Sequence, residues 1–241
     1  MIRDLNADHR LCFLLGEKYM KSQKILAIPL YNHLCKTAYC IQKKDLIAAA
    51  KVIAAAFADD ASIRYLLGGK TEGRNDWKYF FCVLKAIYGK CVMLSADERI
   101  DSVLILFPPQ LKAVPTMSFL LNGGIGLCPS FGISLYLRSL HYENNCQAVK
   151  NRYVTPDTWY CMCFVVSPQM QRQGIGSRLI KPVLKILECN HIPLYLETHK
   201  AVNADIYKHF GFETVEISTI PKTSIIQYSM MKENTCPQMQ I

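Results

Sequence analysis

The sequence contains little that would mark an unfolded, fibrous or repetitive protein. Only 20% of its 241 residues are charged, 51% are hydrophobic, and no repeat or low-complexity run interrupts them. A chain of this composition can bury a substantial core, so a disordered protein, a coiled coil and a collagen-like fibre are excluded. The length allows one large domain or two small ones.

Acidic residues are scarce, since 19 Asp and Glu oppose 28 Lys and Arg and leave a formal net charge of +9. This excess favours anionic partners such as nucleotides, phosphorylated cofactors, nucleic acid or an acidic membrane. The basic residues are scattered, and the clusters at Lys18–Lys24 and Lys43–Lys44 are short. Because no basic stripe interleaved with aromatic residues is present, we expect no nucleic-acid partner.

Cys-x-x-Cys pairs are absent, although the chain has 11 cysteines. Cys161 and Cys163 are two residues apart in an apolar run, so a regular strand would place both on one face. No further ligands lie nearby at a spacing that suits zinc, and we therefore predict no metal site. The cysteines are interpreted as small hydrophobic residues in a reducing compartment, which indicates a cytoplasmic protein.

Charge is also absent from residues 113–137, a stretch long enough to span a membrane. Pro115, Pro129, Asn122 and four glycines interrupt this stretch, and this density of breakers favours two short buried helices joined by a turn. The N-terminus carries carboxylates around a short apolar core, unlike a secretory signal peptide. We therefore expect no membrane partner.

Strands alternate with helices in the second half of the chain, which predicts an α/β or α+β class with one sheet. The run WYCMCFVV, Trp159–Val166, is typical of a buried central strand. The other predicted strands are Thr37–Gln42, Cys91–Ala96, Ile100–Phe107, Leu194–Thr198, Glu213–Ser218 and Ser224–Met231. The predicted helices include Asp45–Phe57 with Asp45 as N-cap, one ending at Gly68–Gly69, one opening at Asn75, Ile175–Asn190 and Asn203–Phe210.

A glycine-containing loop follows the central strand at the point where a helix must begin. Gly174 and Gly176 let the backbone approach a ligand closely, and the free N–H groups at a helix start attract anions. Arg172 and Arg178 add positive charge on either side. The loop therefore predicts a phosphate or pyrophosphate site at Gln171–Ser177, although a plain strand-to-helix turn remains an alternative.

Two other phosphate-binding motifs do not fit this loop. The P-loop pattern GxxxxGK[ST] is absent. A dinucleotide-binding loop would need a third glycine where Leu179 stands, even though Glu197 could supply the acidic residue of the following strand. The GGIG at Gly123–Gly126 has no strand before it.

The segment FVVSPQMQRQGIGSRLI resembles the signature of the GNAT acyl-CoA N-acyltransferase superfamily, whose pyrophosphate loop reads Q/R-x-x-G-x-G/A. Downstream, LYLETHKAVNADIYKHFGFETVE is similar to the family's next strand, short helix and GF turn. Upstream, AAAKVIAAAFADDASIRYLL resembles its first helix pair. The strands that contain WY and LET are most similar to the puromycin acetyltransferase branch.

The resemblance implies one GNAT-like domain, residues 36–232, with a mixed, mostly antiparallel sheet that is splayed at the cofactor strand. Residues 1–35 would be an N-terminal extension, 108–157 a helical insertion over the acceptor side, and 233–241 a tail. The implied reaction is acetyl transfer from acetyl-CoA to a small-molecule amine, and a homodimer is possible. A non-catalytic acyl-CoA-binding module and a protein or peptide N-acetylase stay open as alternatives.

The resemblance also assigns roles to residues. Tyr207 would be the general acid for the leaving thiolate, and Glu197 a candidate base. Asp59 and Asp60 would bind a cationic acceptor. The implied acetyl-CoA contacts are Phe164, Val165, Val166, Gln171, Arg172, Gln173, Gly174, Ile175, Gly176, Ser177, Asn203 and Tyr207.

Each of these roles has a simpler alternative. Tyr207 could be a core tyrosine, and Asn203 could be an N-cap of its helix. Glu197 could be a solvated carboxylate at a strand end. Asp59 and Asp60 could simply end a helix.

Overall fold

The computed structural model describes residues 27–69 and 76–234. Three of the predictions lie wholly or partly outside these ranges. They concern residues 1–26 of the predicted extension, the helix start at Asn75 and the tail from residue 235.

A single sheet of seven strands runs through the molecule in the order β1-β2-β3-β4-β5-β7-β6. Neighbouring strands are antiparallel, except that β4 and β5 are parallel. The strands are β1 Tyr39–Cys40, β2 Val92–Ser95, β3 Ser102–Phe107, β4 Trp159–Val166, β5 Leu194–Thr198, β6 Glu213–Thr219 and β7 Ile226–Lys232. The sequence-based prediction of a mixed, mostly antiparallel sheet in an α/β protein is confirmed.

Nine α-helices lie in the described residues. They are α1 Ala27–Thr37, α2 Leu46–Ala56, α3 Ala61–Leu67, α4 Trp77–Ile87, α5 Thr116–Phe119, α6 Cys128–Phe131, α7 Ser134–Lys150, α8 Ile175–Cys189 and α9 Ala201–His209. Short π and 3-10 turns at Leu120–Gly124 and Ile125–Leu127 connect α5 to α6, and 3-10 turns also occupy Lys43–Asp45 and Pro168–Met170. The predicted boundary between residues 35 and 36 falls inside α1.

The core consists of two apolar clusters, one on each face of the sheet. Leu34 of α1 and Val183 of α8 belong to the first cluster, and both are fully buried. Ala49 of α2 and Ile87 of α4 belong to the second, and these too are fully buried. Because successive strand residues point to opposite faces, alternate residues of β2 and β3 contribute to the two clusters.

Strand β4 departs from this alternation at Met162. Leu106 of β3 pairs with Cys161, whereas its neighbour Ile105 pairs with Cys163, so Met162 is an extra residue on β4. This is a β-bulge, which bends the strand and reverses the side-chain alternation after it. Cys161 therefore packs in the first cluster and Cys163 in the second. The prediction that they share a face was wrong because a regular strand was assumed.

The N-terminal part of the fold contains two further departures from the sequence-based predictions. Cys35 and Cys40 form a disulfide with a Cα–Cα distance of 5.5 Å, so the interpretation of every cysteine as a free thiol is wrong for this pair. Asp45 precedes α2 as predicted, but its side chain does not cap that helix. Its Oδ2 instead accepts hydrogen bonds from the backbone N–H of Gln42 and the hydroxyl of Tyr39, both at 2.9 Å.

The insertion, residues 108–157, folds into helices as predicted, but one side of it is exposed. Leu127, Phe131 and Leu135 are buried against α3 and α4. Leu121 and Leu137, by contrast, are 76% and 65% exposed. The prediction of two short buried helices therefore holds for only one side of the insertion.

Candidate functional site

A gap opens in the sheet between the two parallel strands. β4 and β5 pair only from Trp159 to Cys161, which lie opposite Leu194 to Leu196. The pairing ends at the Met162 bulge, although β4 continues to Val166 and β5 to Thr198. The edge of β4 that faces β5 is therefore open beyond the bulge, where backbone polar groups can pair with an extended ligand.

The glycine loop lies at the far end of this open edge, where α8 begins. Gly174 adopts φ +75°, a left-handed conformation that residues with a side chain rarely adopt. A Cβ at Gly176 would lie 3.3 Å from Phe164 Cζ and 3.4 Å from Val166 Cγ2, so glycine lets the helix start pack closely on the strand end. The first turn of α8 thus presents backbone N–H groups without intrahelical acceptors.

Side chains of the loop hold its shape and leave its outer surface open. Gln171 Nε2 donates a 3.2 Å hydrogen bond to Val166 O, and Gln173 Nε2 donates a 3.3 Å bond to Gln169 O. Arg172 and Arg178 are exposed beside the helix start. The predicted anion site therefore has N–H donors, a favourable helix dipole and two nearby cations. Ile175 is buried and anchors the first turn in the core, and Ser177 is half-buried.

Tyr207 and Asn203 lie one turn apart on α9, on the same face of that helix. The Tyr207 ring lies 6.4 Å from that of Phe164 and 5.7 Å from that of Phe212, measured between centroids. Among the described residues, none forms a hydrogen bond with the Tyr207 hydroxyl. Burial raises the pKa of Tyr207 well above its ordinary value, so the phenol stays protonated at neutral pH.

The alternative of an N-cap role for Asn203 is wrong, because Lys200 holds that position and Asn203 is the third residue of α9. The Asn203 side chain is half-buried on the Tyr207 side of the helix.

Glu197 follows directly after the last residue of β5 that pairs with β4, and its side chain is half-buried rather than solvated at a strand end. Its Oε2 accepts a 3.2 Å hydrogen bond from the Tyr160 hydroxyl, and its Oε1 accepts a 3.1 Å bond from the Tyr195 hydroxyl. Burial raises the pKa of Glu197 to about 7, although the positive charge of Lys150 and these two hydrogen bonds oppose the shift. A carboxyl with this pKa can accept a proton near neutral pH.

Lys150 links this carboxyl to the insertion. It is the last residue of α7, only 5% exposed, and its Nζ donates a 2.7 Å hydrogen bond to Lys112 O. The same Nζ lies 4.2 Å from the centre of the Tyr160 ring. Burial lowers the pKa of Lys150, and the Glu197 carboxylate opposes that shift.

A second link joins the insertion to the end of β5. The Tyr142 hydroxyl and His199 Nε2 form a 2.9 Å hydrogen bond. Burial lowers the pKa of His199, which favours the neutral imidazole, and the nearby Asp60 opposes the shift. The sequence contains no signal for this contact, because no local spacing pairs residues that are 57 positions apart.

The two aspartates predicted to bind substrate have separate environments. Asp60 is 5% exposed and caps α3, since its Oδ1 accepts hydrogen bonds from the backbone N–H groups of Ser62 at 2.9 Å and Ile63 at 3.2 Å. Asp59 is exposed and forms a 3.3 Å ion pair with Arg64. Asp60 thus lies near His199 with its Oδ1 engaged in the helix cap, and Asp59 faces solvent.

In the described ranges, no group of three or more His, Cys, Asp or Glu side chains is arranged to hold a metal ion.

Comparison with protein families adds an independent observation. Residues 141–214, less than half of the chain, match the family model described as Acetyltransferase (GNAT) domain. A segment of 55 residues is 38% identical to an uncharacterized N-acetyltransferase of Schizosaccharomyces pombe. That segment covers 23% of this chain and 22% of the relative, so the match reports on a part of each protein.

Solved structures share the fold over most of the chain. A histone acetyltransferase HPA2 and related acetyltransferase from Corynebacterium glutamicum aligns with a TM-score of 0.58 and 17% identity, over 83% of this chain and 97% of that one. Arylalkylamine N-acetyltransferase 2 from Aedes aegypti aligns with a TM-score of 0.52 and 12% identity, over 81% and 97%. The seven-stranded sheet and its flanking helices therefore form the fold of GNAT acetyltransferases.

Proposed function

We propose that the protein is an N-acetyltransferase that moves the acetyl group of acetyl-CoA to a primary amine of a small molecule. One observation carries the proposal: the gap between β4 and β5 joins an anion site at the start of α8 to two proton-transfer groups. Tyr207 approaches the gap from α9, and Glu197 lies where β4 and β5 separate. The matched GNAT family model supports the same reaction class.

The residues present fit acetyl-CoA. Its pyrophosphate would accept hydrogen bonds from the backbone N–H groups of Gln173–Ser177, with Arg172 and Arg178 adding charge. Its extended arm would pair with the open edge at Phe164, Val165 and Val166, as a short added strand does. Asn203 would contact the same arm. When bound, acetyl-CoA supplies an activated acyl group and a thiolate as leaving group.

Glu197 is proposed as the base of the reaction. The attacking amine nitrogen must lose a proton as it forms its bond to the acyl carbon, and the carboxylate with a pKa of about 7 accepts that proton. Tyr160 and Tyr195 hold the carboxylate in place through their hydroxyl groups.

Tyr207 is proposed as the acid of the reaction. Its hydroxyl forms no hydrogen bond with the described residues and stays protonated, so it can donate a proton to the sulfur as the carbon–sulfur bond breaks. The phenolate then regains its proton from solvent. Acid catalysis of this kind contributes about 10²–10⁴-fold in rate.

The acceptor is proposed to be a small amine because the insertion covers this side of the sheet. From α7, Tyr142 forms a hydrogen bond with His199 just after β5, and Lys150 lies close enough to Glu197 for its charge to lower the pKa of that carboxyl. The likeness to an arylalkylamine N-acetyltransferase points to the same acceptor class. The resemblance to the puromycin acetyltransferase branch remains a prediction, as do the acceptor roles of Asp59 and Asp60.

The test is mass detection of acetylated products from acetyl-CoA and a panel of amines that includes aromatic amines, polyamines and a lysine peptide. Mass detection avoids the background that seven free cysteines in the described ranges would give with a thiol-reactive dye. The wild type should acetylate a small amine, and Tyr207→Phe should form far less product while binding CoA equally well.

Three other results would each decide against part of the proposal. Binding of acetyl-CoA without product from any amine would favour a non-catalytic acyl-CoA-binding module. Product from the peptide alone would favour a protein N-acetylase. Failure to bind acetyl-CoA would remove the cofactor assignment itself.

A further inference from the structure

The insertion carries an apolar surface that the proposed reaction does not use. Six large apolar side chains on it are between 51% and 76% exposed. They are Met117, Leu121, Ile125, Ile133, Leu137 and Leu140. We call these six residues the outer stripe.

The outer stripe follows the helical spacing of the insertion. Met117, Leu121 and Ile125 are four residues apart, and Ile133, Leu137 and Leu140 are four and three apart. This spacing places Ile133, Leu137 and Leu140 along one side of α7 and its N-cap. The first set does not share one regular helix, because the chain leaves helical geometry at Asn122 and Gly123. The opposite side is also apolar and is buried on the domain. Six exposed large apolar side chains on one insertion mark a surface that contacts protein or lipid.

Charged residues next to the stripe along the chain are mainly basic. Residues 113–137 contain no charged side chain, and no Asp or Glu occurs between Asp101 and Glu143. The cations Lys112 and Arg138 flank the uncharged stretch on either side. Lys90 lies against it as well, since its Nζ donates a 3.0 Å hydrogen bond to Ser118 Oγ. The Arg138 side chain turns towards α3, where its Nε donates a 2.9 Å hydrogen bond to Leu66 O, and Glu143 lies one turn beyond Leu140. Lys112, which is exposed, and Lys90 are therefore the cations next to the apolar surface, and their charge complements anionic headgroups.

The shape of the insertion suits a surface rather than a crossing. No single helix in the described ranges is long and apolar enough to cross a membrane. The segments Thr116–Phe131 and Ser134–Lys150 pass the same test of hydropathy only together, and they are bent by 116° relative to each other.

We propose that the outer stripe docks the protein on an anionic lipid bilayer, with the apolar side chains in the interface and Lys112 and Lys90 at the headgroups. This replaces the expectation of no membrane partner, which assumed that both sides of the insertion were buried. The docking does not depend on acetyl transfer. α7 carries both Leu137 and Tyr142, so the docked surface continues into the helix that covers the proposed acceptor side.

The test is cosedimentation of the full chain with vesicles of phosphatidylcholine alone and of equal parts phosphatidylcholine and phosphatidylglycerol. The wild type should bind the anionic vesicles more tightly, and added salt should weaken that binding. Leu121→Glu should lower binding at least about tenfold, because a carboxylate then enters the apolar interface. Lys112→Gln should lower binding to anionic vesicles about fivefold and leave binding to neutral ones unchanged.

The matched control is Ile217→Glu, because Ile217 is 62% exposed on β6 and lies outside the insertion. Thermal unfolding checks that each variant is folded. The proposal is overturned if the wild type binds neither kind of vesicle, or if Leu121→Glu and Ile217→Glu lower vesicle binding by the same factor. It is also overturned if Leu121→Glu only converts a dimer into a monomer, since the stripe would then bind a second copy of this chain.

Discussion

The two sides of the gap in the sheet are built by different means. On the proposed cofactor side, β4 and α8 contribute backbone: an open strand edge, a left-handed Gly174 and a close approach at Gly176. On the proposed acceptor side, the insertion contributes side chains such as Tyr142 and Lys150. A site built from backbone geometry requires particular residues such as glycine. A site lined by side chains changes its shape and chemistry with each substitution. The site built from backbone can therefore be predicted from sequence motifs, whereas the site built from side chains depends on residues particular to this chain.

Among substitutions that test this comparison, the largest expected effect is on kcat. Tyr207→Phe removes the proposed acid and should lower kcat about 10²–10⁴-fold, with little change in the Kd for CoA. Steady-state kinetics and calorimetric titration with CoA measure the two quantities. Tyr153→Phe is the matched control, since the Tyr153 hydroxyl bonds to Glu216 on the surface. Equal kcat for the Tyr207 variant and the control would return Tyr207 to a packing role.

The next largest effect is expected on CoA binding alone. Gly176→Val pushes the start of α8 away from Phe164 and Val166 and misplaces its N–H donors. Loss of two hydrogen bonds to a charged group, each contributing about 1.5–3 kcal/mol, should weaken CoA binding about 100-fold or more. The melting temperature should change little.

A glycine elsewhere provides the control for this variant. Gly126→Val adds the same side chain where nothing lies within 4 Å, so CoA binding should not change. If Gly176→Val keeps the wild-type Kd, the pyrophosphate assignment is wrong.

Sequence reasoning predicted the strands and the helix around the proposed cofactor site well for a physical reason. The strands Trp159–Val166 and Leu194–Thr198 and the start of α8 at Ile175 agree with the structure to the residue. A continuous apolar run, a glycine turn and an amphipathic helix are local patterns, and each is legible in one window of sequence.

The features that were missed depend on contacts between distant residues. The bulge at Met162 follows from the register with β3, and it reversed the predicted faces of Cys161 and Cys163. The bond between Tyr142 and His199 and the exposure of the outer stripe also depend on how the insertion packs. No local pattern reports these contacts.

A smaller effect is expected in the pH dependence of kcat. Glu197 acts as base only when ionised, so with a pKa of about 7 its active fraction rises with pH and levels off above that value. Between about pH 6 and about pH 8, kcat of the wild type should rise about tenfold from this group alone. Glu197→Gln should lose this rise of kcat and keep only the pH dependence that comes from ionisation of the amine. If kcat of the variant rises with pH as in the wild type, a group other than Glu197 causes the rise.

The same carboxyl gives a stability readout with a definite sign. The folded pKa of Glu197 lies above the unfolded value near 4.5, so ionisation costs folding free energy as pH rises from about 4.5 to 7. Glu197→Gln should therefore raise the melting temperature relative to the wild type more at pH 8 than at pH 5, as measured by calorimetry. The opposite sign would mean that Lys150 and the two tyrosines stabilise the carboxylate more than burial destabilises it.

The smallest effect should be confined to the acceptor side. Tyr142→Phe removes the hydrogen bond between α7 and His199, and one such bond contributes about 1 kcal/mol, which corresponds to about a fivefold rise in KM for the amine. The Kd for CoA should stay at the wild-type value, because Tyr142 lies away from the glycine loop. Tyr153→Phe again serves as control for the loss of a hydroxyl. If Tyr142→Phe instead weakens CoA binding and leaves the amine KM unchanged, α7 supports the cofactor side, and the two sides are not built independently.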